Sequence, residues 1–583
     1  MKTSNQEIAD LLRSVAASLT LSKANAFQVR AYENAADSIE RLTSEIKDLW
    51  EEGKLGEVPG IGTGLKEHLN EIFKTGESKH LESILKKHPE VVYELIKVPG
   101  IGPKTALELA NLGVKDIDDL KKKIESGELT KKGFSEKISE RVLGGLEEHA
   151  GKTGRMLLPY AQAQADRILE YLKKGPDVKD ADPLGSLRRQ VATIGDLDFA
   201  VSANNSEKVY EYFVKMPGVS KVIDKETVIL NSGIHVDLLV GKPESYGALL
   251  QHFTGSKNHN IKLRTLALKK GLSLSEDGVK KVGSGKLIEV KSEEEFYKLL
   301  GMDTPAPEIR EDVEEIEAAL EYKLPDLIEL KDIKGDLHLH SNFQIEHPSH
   351  GPGANPIEDI VKRAEELGYE YVGISDHPPA QGTESKEGII RWVEKRTKFI
   401  QNIQKGNKSI RVLNGLEIDI LSDGSLSVPD EALKTLDYCI AGIHHGHRGT
   451  PEQITKRILK ALENPYVDIL AHPTGRLLNE RGSYDADWEE IFKFAAKNER
   501  SSSSSKKLME INGYPNRLDL RDDLVRLALK FGVKFVIDTD AHEVDQMDNM
   551  RFGVSVARRG WVESKDVVNS WEWKKFAEWF NIH

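Results

Sequence analysis

From residue 334 onward, short apolar runs alternate with amphipathic stretches, and nearly every apolar run ends in His, Glu or Asp. GDLHLHS, YVGISDH, RVLNGLEIDI, YCIAGIHHG, VDILAHP, LMEINGY and KFVIDTDAH read as strands, with helices over 356–367, 387–404, 451–463 and 520–531. This alternation implies a parallel sheet wrapped by helices, which closes into a TIM-like barrel, here (β/α)7. Strand carboxyl ends surround one mouth of such a barrel. His338, His340, His377, Glu417, His444, His472, Glu510, Asp540 and His542 therefore converge, although far apart in the chain. One strand-end imidazole is most simply a core histidine; so many together make a metal cage. Histidine is unevenly spread in the same sense, with seven before residue 334 and eleven after it.

The whole chain has 583 residues and a net charge of −13. No apolar run approaches the ~20 residues of a membrane span. The start, MKTSNQEIADLL, lacks a basic-then-apolar leader pattern, and the single Cys439 cannot form an internal disulfide, so a cytoplasmic setting is expected. The acidic total argues against a phosphate-rich partner, but its distribution does not. Residues 301–333 hold 3 basic and 11 acidic groups, whereas 151–300 hold 23 and 19. The excess thus sits in a Pro-containing connector, leaving the preceding block basic.

Two glycine hairpins, VPGIGTG at 58–64 and VPGIGPK at 98–104, each precede an amphipathic helical stretch. Pro-Gly-apolar-Gly at a helix start brings peptide N–H groups against a phosphate without Lys or Arg, which suits a sequence-independent grip on a DNA backbone. One such turn also serves as a plain helix connection; two copies favour the DNA reading. Gly60, Gly62, Gly64, Gly100, Gly102 and Lys104 are the candidate contacts.

In GSLRRQVATIGDLDFA the pair Asp196 and Asp198 share a strand face about 6.5–7 Å apart, while Leu197 and Phe199 face the core. IHVDLLV adds Asp237 from a neighbouring strand. Three convergent carboxylates suit two Mg²⁺ ions acting on a phosphate chain. Gly185 and Ser186 offer a small-residue turn with N–H donors, and Arg189 a charged donor, for a triphosphate. His235 shares a face with Asp237 and is read as a supporting residue.

These motifs, followed by HFTGSKNHNIKLR at 252–264, resemble the nucleotidyltransferase core of the X family of DNA polymerases over roughly 1–320. The resemblance implies catalytic and metal roles for Asp196, Asp198 and Asp237, and triphosphate contacts from Gly185, Ser186, Arg189 and Gly195. It places His252, Phe253 and Gly255 beside the nucleotide's sugar, Asn260 at base or sugar, and Arg264 along the template. His252 stands where eukaryotic members have Tyr, which bears on ribonucleotide exclusion. It also puts His68 where lyase-active members carry a nucleophilic Lys, and Gly64 where they have an accessory one. Imidazole cannot form a Schiff base, so 5′-deoxyribose-phosphate lyase activity is not expected.

The second half resembles the polymerase-and-histidinol-phosphatase (PHP) domain through HLH, Asp376-His377, GLE, Ile443-His444, AHP and DAH. The resemblance implies up to three ions, Mn²⁺ or Zn²⁺, held by His338, His340, His350, His377, Glu417, His444, His472, Asp540 and His542. Here the loop SNFQIEHPSHGPG is longer than the family's, and His350 replaces its Asp; His347 and Glu346 are alternatives. Arg476 and Arg517 are further candidates for phosphate.

The implied fold is multidomain: a helical helix-hairpin-helix unit (1–85), a second (86–150), an α+β palm like that of DNA polymerase beta (151–250), a thumb (251–318), an acidic linker (319–333) and the PHP barrel (334–583). The implied function is template-directed gap filling with dNTPs on primer-template or gapped DNA, joined to a 3′→5′ exonuclease for DNA repair, in a monomer without membrane contact. The alternatives are a small-molecule phosphoesterase fused to a DNA-binding module, and a DNA-bridging scaffold with inactive sites. A sugar-phosphate enzyme has no use for hairpins and an FTGS turn, and complete ligand sets argue against inactivity.

Overall fold

The computed structural model describes residues 5–40, 46–51, 53–58, 60–97, 101–125, 128–131, 155–380, 382–497 and 507–582. Gly100 and the serine run at 501–505 lie outside them. No described helix is long and apolar enough to cross a membrane.

The first hairpin begins where Ile61 N–H donates to the Val58 carbonyl, and helix Thr63–Thr75 follows from Gly62. Leu65, Leu69, Ile72 and Phe73 recur at helical spacing and bury one face against Leu12, Val15 and Ile39. The second helix, Pro103–Asn111, starts after Gly102 with Pro in its first turn, where a missing N–H costs nothing. It closes on a separate small core with Val92, Leu95 and Leu120.

The palm combines a ribbon, β1 (Met156–Leu157) with β3 (Thr193–Ile194), and a five-stranded sheet. The sheet comprises β2 (Val178–Pro183), β4 (Leu197–Ala203), β5 (Val219–Val222), β6 (Thr227–Leu230) and β7 (His235–Gly241), in the order β2-β4-β7-β6-β5. Strands β4 and β7 are its parallel pair, with Asp198 directly opposite Asp237. The thumb follows, with helices Tyr246–Thr254 and Lys257–Lys269 and the ribbon β8 (Leu272–Ser275), β9 (Gly278–Lys281), β10 (Leu287–Ile288).

Seven parallel strands, β11 (Gly335–Asp336), β12 (Tyr371–Ile374), β13 (Arg411–Asp419), β14 (Tyr438–Gly442), β15 (Ile469–Leu470), β16 (Leu508–Asn512) and β17 (Lys534–Asp538), pair in sequence order. A parallel bridge from Leu339 to Ala541 brings the last strand back beside the first, nearly closing the barrel. The intervening helices follow from the pattern. In Pro451–Leu462, a Thr450–Gln453 capping box satisfies the amino end while Ile454, Ile458, Ala461 and Leu462 are buried. Tyr438 fills the barrel interior, its hydroxyl donating to the Leu337 carbonyl at 2.5 Å.

The acidic segment expected as a linker is packed. Ile328 is fully buried, its N–H donates to the Val562 carbonyl, and Leu327 bridges Glu563. Ile328 and Ile333 join a continuous apolar core that runs from Leu158, Phe199 and Leu238 of the palm to Val556 and Val562 of the barrel unit.

Candidate functional sites: a carboxylate triad and an imidazole cage

Asp196, Asp198 and Asp237 offer ligand atoms within 4.8 Å of one another. Asp196 stands just before β4 and is exposed; the other two are half-buried. Burial, reinforced by the neighbouring charges of Asp196 and Asp237, pushes the Asp198 carboxyl up to about 6. Thr227 donates to Asp237 Oδ1 at 2.5 Å and orients it. A crowd of like charges with so little compensation fits divalent cations, which would restore the ionised form.

Gly185 opens the short helix Gly185–Arg188 with φ +54. A Cβ there would lie 2.6 Å from Asp198 Oδ2, so only glycine lets this turn approach the carboxylate. Ser186 follows it, half-buried, and its carbonyl accepts from Val191 N–H. Gly195 faces Arg155, which also donates to the Thr193 carbonyl at 2.6 Å. The turn is tied to the FTGS segment. Arg188 pairs with Glu293 at 2.6 Å and donates to Thr254 Oγ1, and Arg189 Nη1 donates to the Thr254 carbonyl at 2.6 Å. Arg189 Nε also meets Glu311 Oε1 at 3.0 Å, so this guanidinium already has protein partners.

The remaining predicted nucleotide contacts lie on the next helices. His252 and Phe253 are half-buried with ring centroids 4.8 Å apart, and burial lowers the His252 pKa. Asn260 donates to the His252 carbonyl at 2.7 Å and accepts from Gln251 at 2.8 Å, so its amide braces the helix pair. Arg264 is exposed one turn further on, and His235 is exposed at the start of β7. In the hairpin units Gly60, Gly62, Gly64, Gly102 and Lys104 are exposed, while His68 stacks on His80 at 4.7 Å.

At the barrel mouth Glu417, the seventh residue of β13, is central and 1% exposed. Its Oε1 is 2.9 Å from His444 Nε2 and 2.8 Å from His472 Nε2. Its Oε2 is 3.0 Å from His338, 3.1 Å from His377 and 3.4 Å from His340. Asp540 adds an oxygen 3.2 Å from His340, and the His542 ring stacks on His340 at 4.2 Å. His472 and Asp540 hold positive φ of 27° and 54°, local strain of the kind that collects at functional sites.

The donors fit resident metal ions. Both ring nitrogens of His340 are buried without a hydrogen-bond partner, as are Nδ1 of His377 and His472. Burial lowers His377 and His472, the latter to about 4, leaving neutral imidazoles able to donate a lone pair. Burial opposes ionisation of Glu417, but the imidazoles of His338, His377 and His444 hold its carboxyl well below the usual range.

His350 joins the cluster, its Nε2 2.9 Å from Asp419 Oδ1; His347 and Glu346 are exposed and belong to none of the potential metal-holding groups among the described residues. Asp419, two residues after Glu417 on the same strand face, also takes His444 Nδ1 at 2.6 Å. Sequence reading missed it, although the E-x-D spacing of GLEID was the available signal. Glu510 stands behind the cluster: at 2.5 Å from His338 Nδ1, it turns that ring's Nε2 toward Glu417. Asp376 likewise holds Ser341 and the buried Arg396. Arg476 is a correction to its expected phosphate role, because it donates to the carbonyls of Arg517 and Leu518 and braces the loop. Arg517 remains at the mouth, 3.3 Å from Asp540.

Residues 3–78 match the helix-hairpin-helix domain family, 92–148 the SAM-like helix-hairpin-helix tandem, 249–311 the DNA polymerase beta thumb and 336–513 the PHP domain. Probable phosphatases of Clostridium novyi and Caldicellulosiruptor bescii are 27% and 29% identical over 36% and 33% of this chain, covering 78% and 75% of their own lengths. The DNA polymerase/3′-5′ exonuclease PolX of Bacillus subtilis is 35% identical over 577 residues, 97% of each chain. With a carboxylate triad, a thumb and a PHP cage on one polypeptide, this chain belongs to the PolX group of family X DNA polymerases.

Proposed function

We propose that this enzyme fills gaps in DNA at the carboxylate triad and trims 3′ ends at the imidazole cage, in a repair setting. What supports the reading is that potential metal-holding groups stand both at the carboxylate triad and at the barrel mouth of a chain matched to PolX over 97% of its length. When bound, divalent ions supply Lewis acidity for phosphoryl chemistry at both sites, two Mg²⁺ at the triad and up to three Mn²⁺ or Zn²⁺ at the cage.

In the gap-filling site Asp196, Asp198 and Asp237 hold the ions, with Thr227 keeping Asp237 aimed. Backbone N–H groups at Gly185, Ser186 and Gly195, together with Arg189, take the triphosphate of an incoming dNTP. His252, Phe253 and Gly255 flank its sugar, Asn260 keeps the two helices of that wall together, and Arg264 lies along the template. The hairpins at Gly60, Gly62, Gly64 and at Gly100, Gly102, Lys104 grip duplex backbone through peptide N–H groups.

At the cage His338, His340, His350, His377, Glu417, His444, His472, Asp540 and His542 hold the ions, while Glu510 and Asp419 orient His338 and His444. Arg517 stands at the mouth as a donor for a scissile phosphate. His338, His340, Glu417 and His472 are almost fully buried, so a nucleophile and a DNA end would both enter from the mouth. The enzyme works as a cytoplasmic monomer, and His68 supplies no amine for lyase chemistry.

The test is a pair of double variants in the full chain. Asp196→Ala with Asp198→Ala should abolish nucleotide addition on gapped DNA and leave Mn²⁺-dependent 3′-end degradation. His338→Ala with His340→Ala should do the reverse. Loss of both activities in either folded variant refutes the two-site assignment.

A further inference from the structure

Helix Met550–Arg559 belongs to the barrel unit, yet one of its faces is spent on the polymerase half. Ser555, Arg558 and Arg559, at i, i+3 and i+4, all point there. Ser555 Oγ is 3.1 Å from Gln190 Oε1, next to Arg189 in the chain. Arg558 pairs with Glu308 at 2.7 Å and donates to the Ile328 carbonyl at 3.0 Å.

Arg559 makes the decisive contacts. Its side chain is 10% exposed, and every nitrogen has a partner. Nε and Nη2 grip the Asp522 carboxylate at 2.7 Å each. Nη1 donates to the Arg189 carbonyl at 2.8 Å and to Glu311 Oε1 at 3.0 Å. That same Glu311 oxygen takes Arg189 Nε at 3.0 Å, and Arg189 Nη1 reaches the Thr254 carbonyl at 2.6 Å. A Cβ on Gly255 would lie 3.1 Å from Arg189 Nη1, so the guanidinium lies close against the FTGS turn. The links run unbroken from Asp522 through Arg559, Glu311 and Arg189 to Thr254.

We infer that Arg559 is a positioning residue for nucleotide addition: the PHP-side helix, through Glu311 and the Arg189 carbonyl, sets where the Arg189 guanidinium and the FTGS turn stand. The inference rests on the reading above that Arg189 and Gly255 face the incoming nucleotide. Two guanidiniums converge on one carboxylate oxygen, and each fixes the other's orientation only while both are present. Without Arg559, Glu311 can follow Arg189 freely, the Arg189 carbonyl loses its donor and Asp522 loses its partner. A binding group displaced by about 1 Å is enough to weaken recognition substantially. The imidazole cage uses none of these residues, so the effect is confined to one activity.

The experiment uses full-length protein and a one-nucleotide gapped duplex, measuring KM for dNTP and kcat separately. Arg559→Met should raise KM about tenfold while changing 3′-end degradation less than twofold. Arg559→Lys, which keeps the charge but loses the fork, should recover only part of the loss. Because Arg559 acts through Arg189, the double variant Arg559→Met/Arg189→Met should be no worse than Arg189→Met alone. An unchanged KM in Arg559→Met, or fully additive effects in the double variant, overturns the inference. If Arg559→Met does not fold, Glu311→Gln probes the same link at a partly exposed position; a raised KM supports the inference and an unchanged KM overturns it. If Arg189→Met itself keeps a normal KM, the nucleotide-site reading of Arg189 fails first. If Arg189→Met raises KM and Arg559→Met does not, only the positioning role fails.

Discussion

Glu293 offers the sharpest quantitative test of how the nucleotide pocket is held together. It starts helix Glu293–Leu299 and is 7% exposed, its two oxygens meeting Arg310 at 2.5 Å and Arg188 at 2.6 Å. Arg310 is completely buried and Arg188 reaches Thr254 of the FTGS turn, so this carboxylate neutralises two cations at the palm–thumb junction. Burial opposes its ionisation, but Arg310 and Arg188 overcome that and hold its carboxyl at about 2, against an ordinary 4.5. Holding the carboxyl that low is worth about 3 kcal/mol, in line with ~3–5 kcal/mol for breaking one side of a buried pair. The sign is that of a depressed carboxyl: the stabilisation is fully present above pH 4.5 and is lost as pH falls from 4.5 through 2. Glu293→Gln should therefore accelerate exchange of the most protected amides in 293–300 by about 10²-fold at pH 7. Wild type and variant should converge as pH approaches 2, because protonated Glu293 and Gln then present similar groups. The assay is amide hydrogen exchange read by mass spectrometry across a pH series. A change below about threefold at pH 7, or a gap that persists unchanged at pH 2, would show that the pair is not the stabilising element claimed.

Three shorter predictions follow from the two sites. Gly185→Ala should cut kcat for nucleotide addition by tenfold or more, because its Cβ would sit 2.6 Å from Asp198 Oδ2; wild-type gap filling in this variant would contradict the close approach. With the Asp198 carboxyl pushed up to about 6, protons compete with Mg²⁺ below that pH, so half-saturating Mg²⁺ for extension should be flat above 6.5 and rise up to about tenfold per unit below 6; a flat profile to pH 5 would count against it. Glu510→Gln should weaken metal retention about 10–100-fold by releasing the His338 ring, read as lost metal content after dialysis, with full retention as the contrary result.

Elements differ, for physical reasons, in how plainly the sequence declares them. The barrel was legible because strand and helix periods impose visible patterns, and because chemistry in a parallel barrel sits at strand ends. Observed helices such as Pro451–Leu462 and Asp522–Lys530 fall within a residue or two of expectation. The Asp198–Asp237 pairing was likewise foreshadowed by two short apolar runs carrying a carboxylate. Asp419 was harder, since a strand face offers the same alternation to a ligand and to any surface acid. Arg396, buried on helix Lys386–Gly406 and pinning Asp376, looks in sequence like one more helix charge. The Arg559 chain was invisible, because its members lie up to 370 residues apart and no local pattern marks them. The acidic excess at 301–333 reads in sequence as a connector, yet Glu308 and Glu311 are consumed by arginines and Glu315 is buried against His259. Charge counted along a chain cannot distinguish a free carboxylate from a paired one.

The apolar seam through Ile328 and Ile333 changes what it means to cut this enzyme in two. A chain severed near 333 would bare leucine, isoleucine and valine on both fragments, each then facing water with half of a shared interior. Fragments made for separate assay would report on sticky, rearranged surfaces as much as on chemistry. The same seam would also constrain recombination: a half exchanged for a foreign one would need a face that matches the interior it shares with its counterpart.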